Sequence, residues 1–417
     1  MTAPEGFAAT ADMAVHEQAA RNQRLRLYLG GQASWYVSLG IQFVLFPYLV
    51  TNVLHESAAK VGIAQMSLMA PSILFMLLGG ATADHSDVRR ILIRVHLLAA
   101  LPPLILALVF ETAHLSYAML IAYALAMGTL GAFAMPARDS ALTRVAGSGI
   151  QQAVTLAMGT QLFTQLLGML LASFAAATGA PALLVFQMAI MLAGAWLTAR
   201  LAALPPSQTG TGEGRLAQII DGIQTARRSE IIIMVIAAMF AVGVFYVGSF
   251  MVVLPLMVRD IYHGGVRDLS LVNICFWGGT IVATFALLRL GHIVRRGRMM
   301  MASLMSGLVI LTLLSVPLPF AAICVLSFVW GIGAGTTMTM GRTIVQLSAP
   351  DSHRARVLAF YQLGFSGGAP IGSVIMGFLV GGLGARHAVL VPAAAMVLVL
   401  IALFFFSPLW RYRAAEG

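Results

Sequence analysis

Charge is scarce in this chain: Asp, Glu, Lys and Arg together make up 10% of the 417 residues, against 59% hydrophobic ones. That balance excludes an ordinary soluble domain, in which about a quarter of the residues are charged. Acids are scarcer still, 15 against 25 basic residues, and none lies near the middle of a hydrophobic run. The two cysteines, Cys275 and Cys324, both sit inside apolar runs, so they read as small buried hydrophobes and not as a disulfide framework. There is no Walker phosphate loop, no metal-ligand cluster, no paired His/Glu helix motif and no nucleophile elbow. Neither ATP hydrolysis nor metal chemistry is supported, and the expectation is a non-enzyme without cofactor. Residues 1–20 lack a basic segment followed by an apolar core, so they do not read as a cleaved signal.

What is present is apolar length. Twelve long runs are centred near residues 39, 71, 101, 128, 164, 192, 245, 279, 308, 333, 369 and 397. Each is continuous and not alternating, which favours spanning helices over a barrel, and lipid admits only those two solutions. The expected fold is an all-α integral membrane protein. The net charge of +10 invites a nucleic-acid reading, but its distribution points elsewhere. With the N-terminus in the cytoplasm, every basic residue except Lys60, Arg259, Arg267 and Arg386 falls on the cytoplasmic side. The excess therefore orients the chain in a cell or inner membrane with both termini cytoplasmic, and no nucleic-acid partner is expected.

One long polar break, residues 203–230, divides the runs six and six. Its first part is rich in Pro, Gly, Ser and Thr, whereas Leu216, Ile219, Ile220 and Ile223 recur at helical spacing beside Arg215, Arg227 and Arg228. Residues 215–228 are expected to form an amphipathic helix at the membrane surface. The resulting division is a mobile tail at 1–23, a six-helix bundle at 24–204, a linker at 205–229, a second bundle at 230–410 and a tail at 411–417. The halves resemble each other loosely at an offset of about 205 residues. GGATADHSDVRR after the second run corresponds to LLRLGHIVRRGR after the eighth, and MPARDSALTRV at the end of the fourth to MGRTIVQLSAP at the end of the tenth. This pairing sets Arg138 opposite Arg342.

Over residues 24–410 the chain resembles the major facilitator superfamily. The signature of that superfamily between helices two and three stands here as Gly80-Ala-Thr-Ala-Asp84 followed by Arg89 and Arg90, with Asp87 in place of the usual second glycine. Asp87, together with Pro136-Ala137-Arg138, IIDGIQTARRSE before helix seven and GGAPIG at 367–372, resembles the branch of the enterobactin exporter. In helix five Gly159 and Gly168 keep the spacing of the antiporter motif, but Met169 replaces its proline. The resemblance implies twelve transmembrane helices in two pseudo-symmetric six-helix bundles, working by alternating access around a midplane site. It also implies a cytoplasmic gate in which Asp84 docks against helix eleven and loop arginines pair with an acid ending helix four, here Asp139. The plainer reading is that Arg89 and Arg90 only signal topology. Arg138 is either a buried partner for an acid or a snorkelling side chain, and Arg342 follows by its repeat position.

Polar stripes at helical spacing mark faces turned from lipid. Trp35 and Gln42 on helix one, Gln161 and Gln165 on helix five, Asn273 and Trp277 on helix eight and Gln362 on helix eleven are the candidate cavity residues. Interhelical hydrogen bonding would explain the same stripes. Asp84, Arg138 and His96 are the candidates for proton coupling, although a lone histidine is more often a packed, bonded residue. The expected function is proton-coupled export of a small amphipathic organic molecule, siderophore-like or drug-like, by a monomer in the lipid bilayer. Uptake or lipid translocation on the same scaffold, and a non-transporting receptor or scaffold, are the alternatives.

Overall fold

The computed structural model describes residues 5–205, 223–290, 293–350 and 353–412. Its helices are α1 (Glu5–Tyr48), α2 (Ala58–His85), α3 (Val88–Glu111), α4 (Tyr117–Ala146), α5 (Ile150–Thr178), α6 (Ala180–Ala199), α7 (Glu230–Asp260), α8 (Val266–Leu290), α9 (Arg296–Leu314), α10 (Phe320–Ser348), α11 (Arg354–Ala388) and α12 (Leu390–Phe406). Among the described residues, eleven helices are long and apolar enough to cross a membrane, and α12 is a shorter apolar one. Large apolar side chains such as Leu288, Phe405 and Phe406 project outward from the bundle, as a lipid-facing surface requires.

The second half repeats the packing of the first. Helix α1 packs on α5 as α7 packs on α11; α2 on α4 as α8 on α10; and α3 on α6 as α9 on α12. The two halves meet through α2 against α11 and α5 against α8, contacts that the same pseudo-two-fold exchanges. Backbone detail carries the repeat too. Gly179 (φ 82°, ψ 157°) turns the chain into α6, and Gly384 (φ 76°, ψ 158°), 205 positions on, breaks the helical run Arg354–Ala388 one turn before α12, both in a conformation essentially restricted to glycine. His55 and His263, just past the ends of α1 and α7, both have positive φ.

Small residues bring the helices of each half into backbone contact. A Cβ built on Gly40 or Gly168 would strike the facing backbone across the α1–α5 seam, and the same holds for Gly243 and Gly368 between α7 and α11 and for Gly279 and Gly331 between α8 and α10. Two π-helical turns interrupt the regular helices, Leu49–Val53 at the end of α1 and Val242–Val247 within α7. Such turns leave carbonyls out of the regular ladder and recur at functional sites.

Residues 5–23, expected as a tail, have helical backbone continuous with α1. The Ala-rich stretch from Ala8 to Ala20 contains no Gly or Pro to stop a helix propagating outward from the span. The expected amphipathic helix is described only in its final turn, 223–228, which is helical; its earlier residues lie outside the described part.

Candidate functional site

The end of the bundle opposite the linker is closed by contacts between the halves. Near this end Gly62 of α2 meets α11 so closely that a Cβ on it would collide with the Ser373 carbonyl and lie 3.1 Å from Gly377 Cα; a Cβ on Gly377 would lie 3.0 Å from Gly62 Cα. A polar staple lies beside this seam. The Arg259 guanidinium, at the end of α7, pairs with Asp260 (Nε–Oδ1 2.5 Å, Nη2–Oδ2 3.1 Å) and donates from Nη1 to the carbonyls of Thr51 (3.2 Å) and Glu56 (2.8 Å) in the first half. Thr51 belongs to the π-turn, so its carbonyl is turned toward this donor. Asn52 Nδ2 donates to the Gly264 carbonyl (3.0 Å), and Glu56 is paired with Lys60 (2.9 Å).

Below the seal is a cavity of about 200 Å³. Its wall is mostly contributed by the second half: Val242, Tyr246, Val247, Phe250 and Met251 of α7, Phe276, Trp277 and Thr280 of α8, Ser303 and Gly307 of α9, Trp330, Gly333, Ala334, Thr337 and Met338 of α10, and Phe365 of α11. Phe43 and Met69 complete it from the first half. The π-turn in α7 contributes Val242, Tyr246 and Val247 to this wall. The rings interlock: Phe250 and Phe276 are 4.1 Å apart between centroids, and Tyr246, Phe250 and Phe276 each meet Trp330 nearly perpendicularly at 5.8–6.2 Å. No lining residue is charged.

Of the expected cavity residues, this cavity includes Trp277; Trp35, Gln42, Gln161, Gln165, Asn273 and Gln362 do not line it. Several of these are engaged elsewhere. Asn273 donates to Leu269 of its own helix (2.9 Å), and Gln362 meets Ser366 (3.4 Å). Gln42 and Gln165 are buried, whereas Gln161 is half-buried. Trp35 lies between His96, whose ring it meets edge-on at 5.7 Å, and Arg138, whose guanidinium is 4.9 Å from its ring. The residues missed by sequence reasoning, Tyr246, Phe250, Phe276 and Trp330, lie in continuous apolar runs where an aromatic carries no sign of which way it faces.

At the linker end, Arg138 is 7% exposed, stacked over Trp35 and over Tyr36 (4.8 Å), and its Nη1 has no protein partner. Tyr28 donates to the Arg138 carbonyl (3.2 Å). Its neighbour Asp139 is exposed and within electrostatic reach of both Arg138 and Arg342, the latter across the halves on α10. Gly80 is buried on α2; Asp84 has helical backbone there, and its side chain lies outside the described part. Asp87, Arg89 and Arg90 act within the first half. Asp87 caps α3 by accepting from Arg89 N (3.0 Å), accepts from Leu204 N (3.1 Å) and lies 3.6 Å from Arg90 Nε, while Arg89 Nη2 reaches the Ala199 carbonyl (2.5 Å). They tie the loop between α2 and α3 to the end of α6, in contrast to the expected pairing of Arg89 and Arg90 with Asp139. His96 is buried, with Nδ1 2.8 Å from the Leu92 carbonyl and Nε2 3.2 Å from the Gly31 carbonyl.

Two pseudo-symmetric six-helix halves enclosing a cavity sealed at one end define a multi-pass membrane transporter of the major facilitator fold. The chain belongs to the transmembrane secretion effector family, whose sequence model matches residues 30–416. No curated protein matches it by sequence. Among solved structures, the nucleoside transporter NupG is similar with a TM-score of 0.72 and 14% identity over 94% of this chain and 99% of its own. A bacterial homologue of the human lysosomal transporter Spinster, in an inward-facing and unoccupied conformation, gives 0.67 and 11% over 94% and 96%. A D-xylose–proton symporter gives 0.67 and 14% over 92% and 97%. At these identities the likeness is one of fold.

Proposed function

We propose that this chain is a secondary active transporter that exports a small organic molecule by alternating access, with proton entry as the driving force. The observation that carries the reading is the cavity beneath a closed end, because a site accessible in turn from each side requires one seal that can open while another forms. The seal meets that need: it consists of a few hydrogen bonds and a backbone contact between the halves, whereas each half is internally fastened along its whole length. Outward movement is favoured by the family's character as secretion effectors; on this reading the basic residues orient the chain, with both termini and the linker on the cytoplasmic side of a cell or inner membrane. The boundaries 24–204 and 230–410 are the moving bodies on this reading, and one chain suffices.

The cavity volume favours a compact drug-like molecule over a siderophore, since 200 Å³ is below the roughly 300–1,000 Å³ of pockets that enclose drug-sized ligands. Coupling is assigned to the linker end, where Asp139 is within electrostatic reach of Arg138 and Arg342 and where Asp84 belongs to the gate signature. His96 is the weaker carrier, because it is buried within the first half and does not line the cavity.

Uptake is the second reading, since a D-xylose–proton symporter shares the fold. Purified protein in sealed vesicles with an internal pH dye separates the readings. Export coupled to protons predicts that an imposed proton gradient drives substrate against the proton flow, and that Arg138→Ala abolishes this while the protein remains folded. Co-movement of substrate and protons would establish uptake, and no flux across a broad compound panel would favour a scaffold.

A further inference from the structure

A separate crevice of about 130 Å³ lies at the linker end, where α1 crosses the turn between α4 and α5. Arg21, Asn22 and Arg26 of α1 and Gln152 of α5 form its polar part, and Leu25, Leu29 and Leu156 its apolar part. Residues 22, 25, 26 and 29 share one face of α1. The charge is of one sign, because the lining includes no carboxylate, and it includes no aromatic ring either. The Arg21 guanidinium lies over Gly149, where a Cβ would be 3.5 Å from its Cζ and Nη1. Gly149 directly precedes α5, whose start has no side-chain cap and no acid in its first turn. The positive end of that helix therefore adds to the two guanidiniums. Asn22, Arg26 and Gln152 are exposed and Arg21 is half-buried, so a ligand can reach them from outside. From the crevice the outer face of α5 runs on as Leu156, Phe163 and Leu170, seven residues apart and 44%, 69% and 49% exposed.

From this arrangement we infer that the crevice binds one anionic phospholipid, with its phosphate on Arg21 and Arg26 and an acyl chain laid along Leu156 and Phe163. The volume decides how much of the ligand enters. At about 130 Å³ the crevice is well below the roughly 300–1,000 Å³ of pockets that enclose a drug-sized molecule. Its occupant inserts one part and leaves the rest on the surface outside, and that surface is an apolar stripe suited to a lipid chain. Guanidinium groups bind phosphate through paired N–H donors, while the chain covers leucines that a soluble phosphate would leave bare. A nucleotide would find no ring on which to stack its base. A zwitterionic lipid also carries a phosphate, but its ammonium meets the same two guanidiniums with like charge. The amides of Asn22 and Gln152 suit the hydroxyls of a glycerol headgroup. Because α1, α4 and α5 all belong to the first half, the site is independent of what the central cavity carries and in which direction.

The test is native mass spectrometry of the full chain, released from detergent micelles holding equal amounts of phosphatidylglycerol and phosphatidylethanolamine with identical chains. The first lipid retained should be phosphatidylglycerol by about twentyfold, since each basic residue facing an anionic lipid is worth about fivefold. Arg26→Gln should lower that ratio about fivefold, and Arg21→Gln with Arg26→Gln should bring it to about one. Arg295→Gln with Arg298→Gln, which removes the same charge at the start of α9, should leave it unchanged. Should the crevice variants not fold, the unaltered protein still decides: phosphatidylglycerol with a diazirine on its chain should crosslink to peptides containing the α1 or α5 residues of the crevice or Phe163. A retention ratio below about twofold in the unaltered protein, an equal loss in the α9 pair, or crosslinks confined to other helices overturns the inference. So does complete displacement of the lipid by millimolar glycerol 3-phosphate, which would make the crevice a site for a soluble phosphate.

Discussion

Replacing Arg259 with Ala removes one of the side chains that bridge the halves at the sealed end, leaving the bond from Asn52 to Gly264 in place. Two hydrogen bonds are lost, to the carbonyls of Thr51 and Glu56. Bonds from charged donors contribute about 1.5–3 kcal/mol each when well buried. Arg259 is 19% exposed and its partner Asp260 43% exposed, so solvent competition reduces each to about 1 kcal/mol. The closed state should therefore lose about 2 kcal/mol relative to the open one, about thirtyfold in the equilibrium. Lysine can reach one carbonyl at a time, and Arg259→Lys should shift it about sixfold. The assay places a reporter thiol at Met69, in the cavity wall beneath the seal, with Cys275 and Cys324 replaced by Ala. An impermeant maleimide is then applied from the face opposite the linker. Labelling should accelerate by about thirtyfold in Arg259→Ala. A rate within about twofold of the parent, in a variant that still elutes as a single species, would show that the staple does not hold the gate.

Gly62→Val tests the seam beside it. Its side chain meets the backbone of α11, and overpacking costs about 1–3 kcal/mol, so transport should fall about tenfold or more while Met69→Cys becomes labelled from that face; undiminished flux would refute the contact. Asp87→Ala removes the cap of α3 and the bond to Leu204 N, worth about 1 kcal/mol, and should lower the melting temperature by about 2 °C with little effect on cavity binding. His96→Gln keeps a donor for one carbonyl and should leave the pH dependence of flux in place; a displaced midpoint would make His96 a proton carrier after all.

The spans were readable in the sequence because lipid enforces long apolar runs, and the linker because it alone breaks them. The repeat was faint in residue identity, yet Gly179 and Gly384 preserve it in the backbone, where only glycine tolerates the turn. The cavity was largely hidden. Polar periodicity separates lipid-facing from inward faces, but Asn273 and Trp35 face inward onto protein and not onto the cavity. Phe250, Phe276 and Trp330 line it with the same residue types that elsewhere face lipid. Arg138 stood out because an arginine within a turn of an apolar run must find partners; that these are the rings of Trp35 and Tyr36 depends on a crossing of α1 and α4 that no local pattern encodes.

The seam between Gly62 and Gly377 is dry. Main chain lies against main chain there, with no side chain between to fold aside and no crevice for a file of water. A membrane that stores energy as a voltage and a proton gradient is discharged by any continuous thread of water across it. If the chain works by alternating access, the contact is also electrical insulation: while it is closed, the cavity beneath it is a dead end for current as well as for solute.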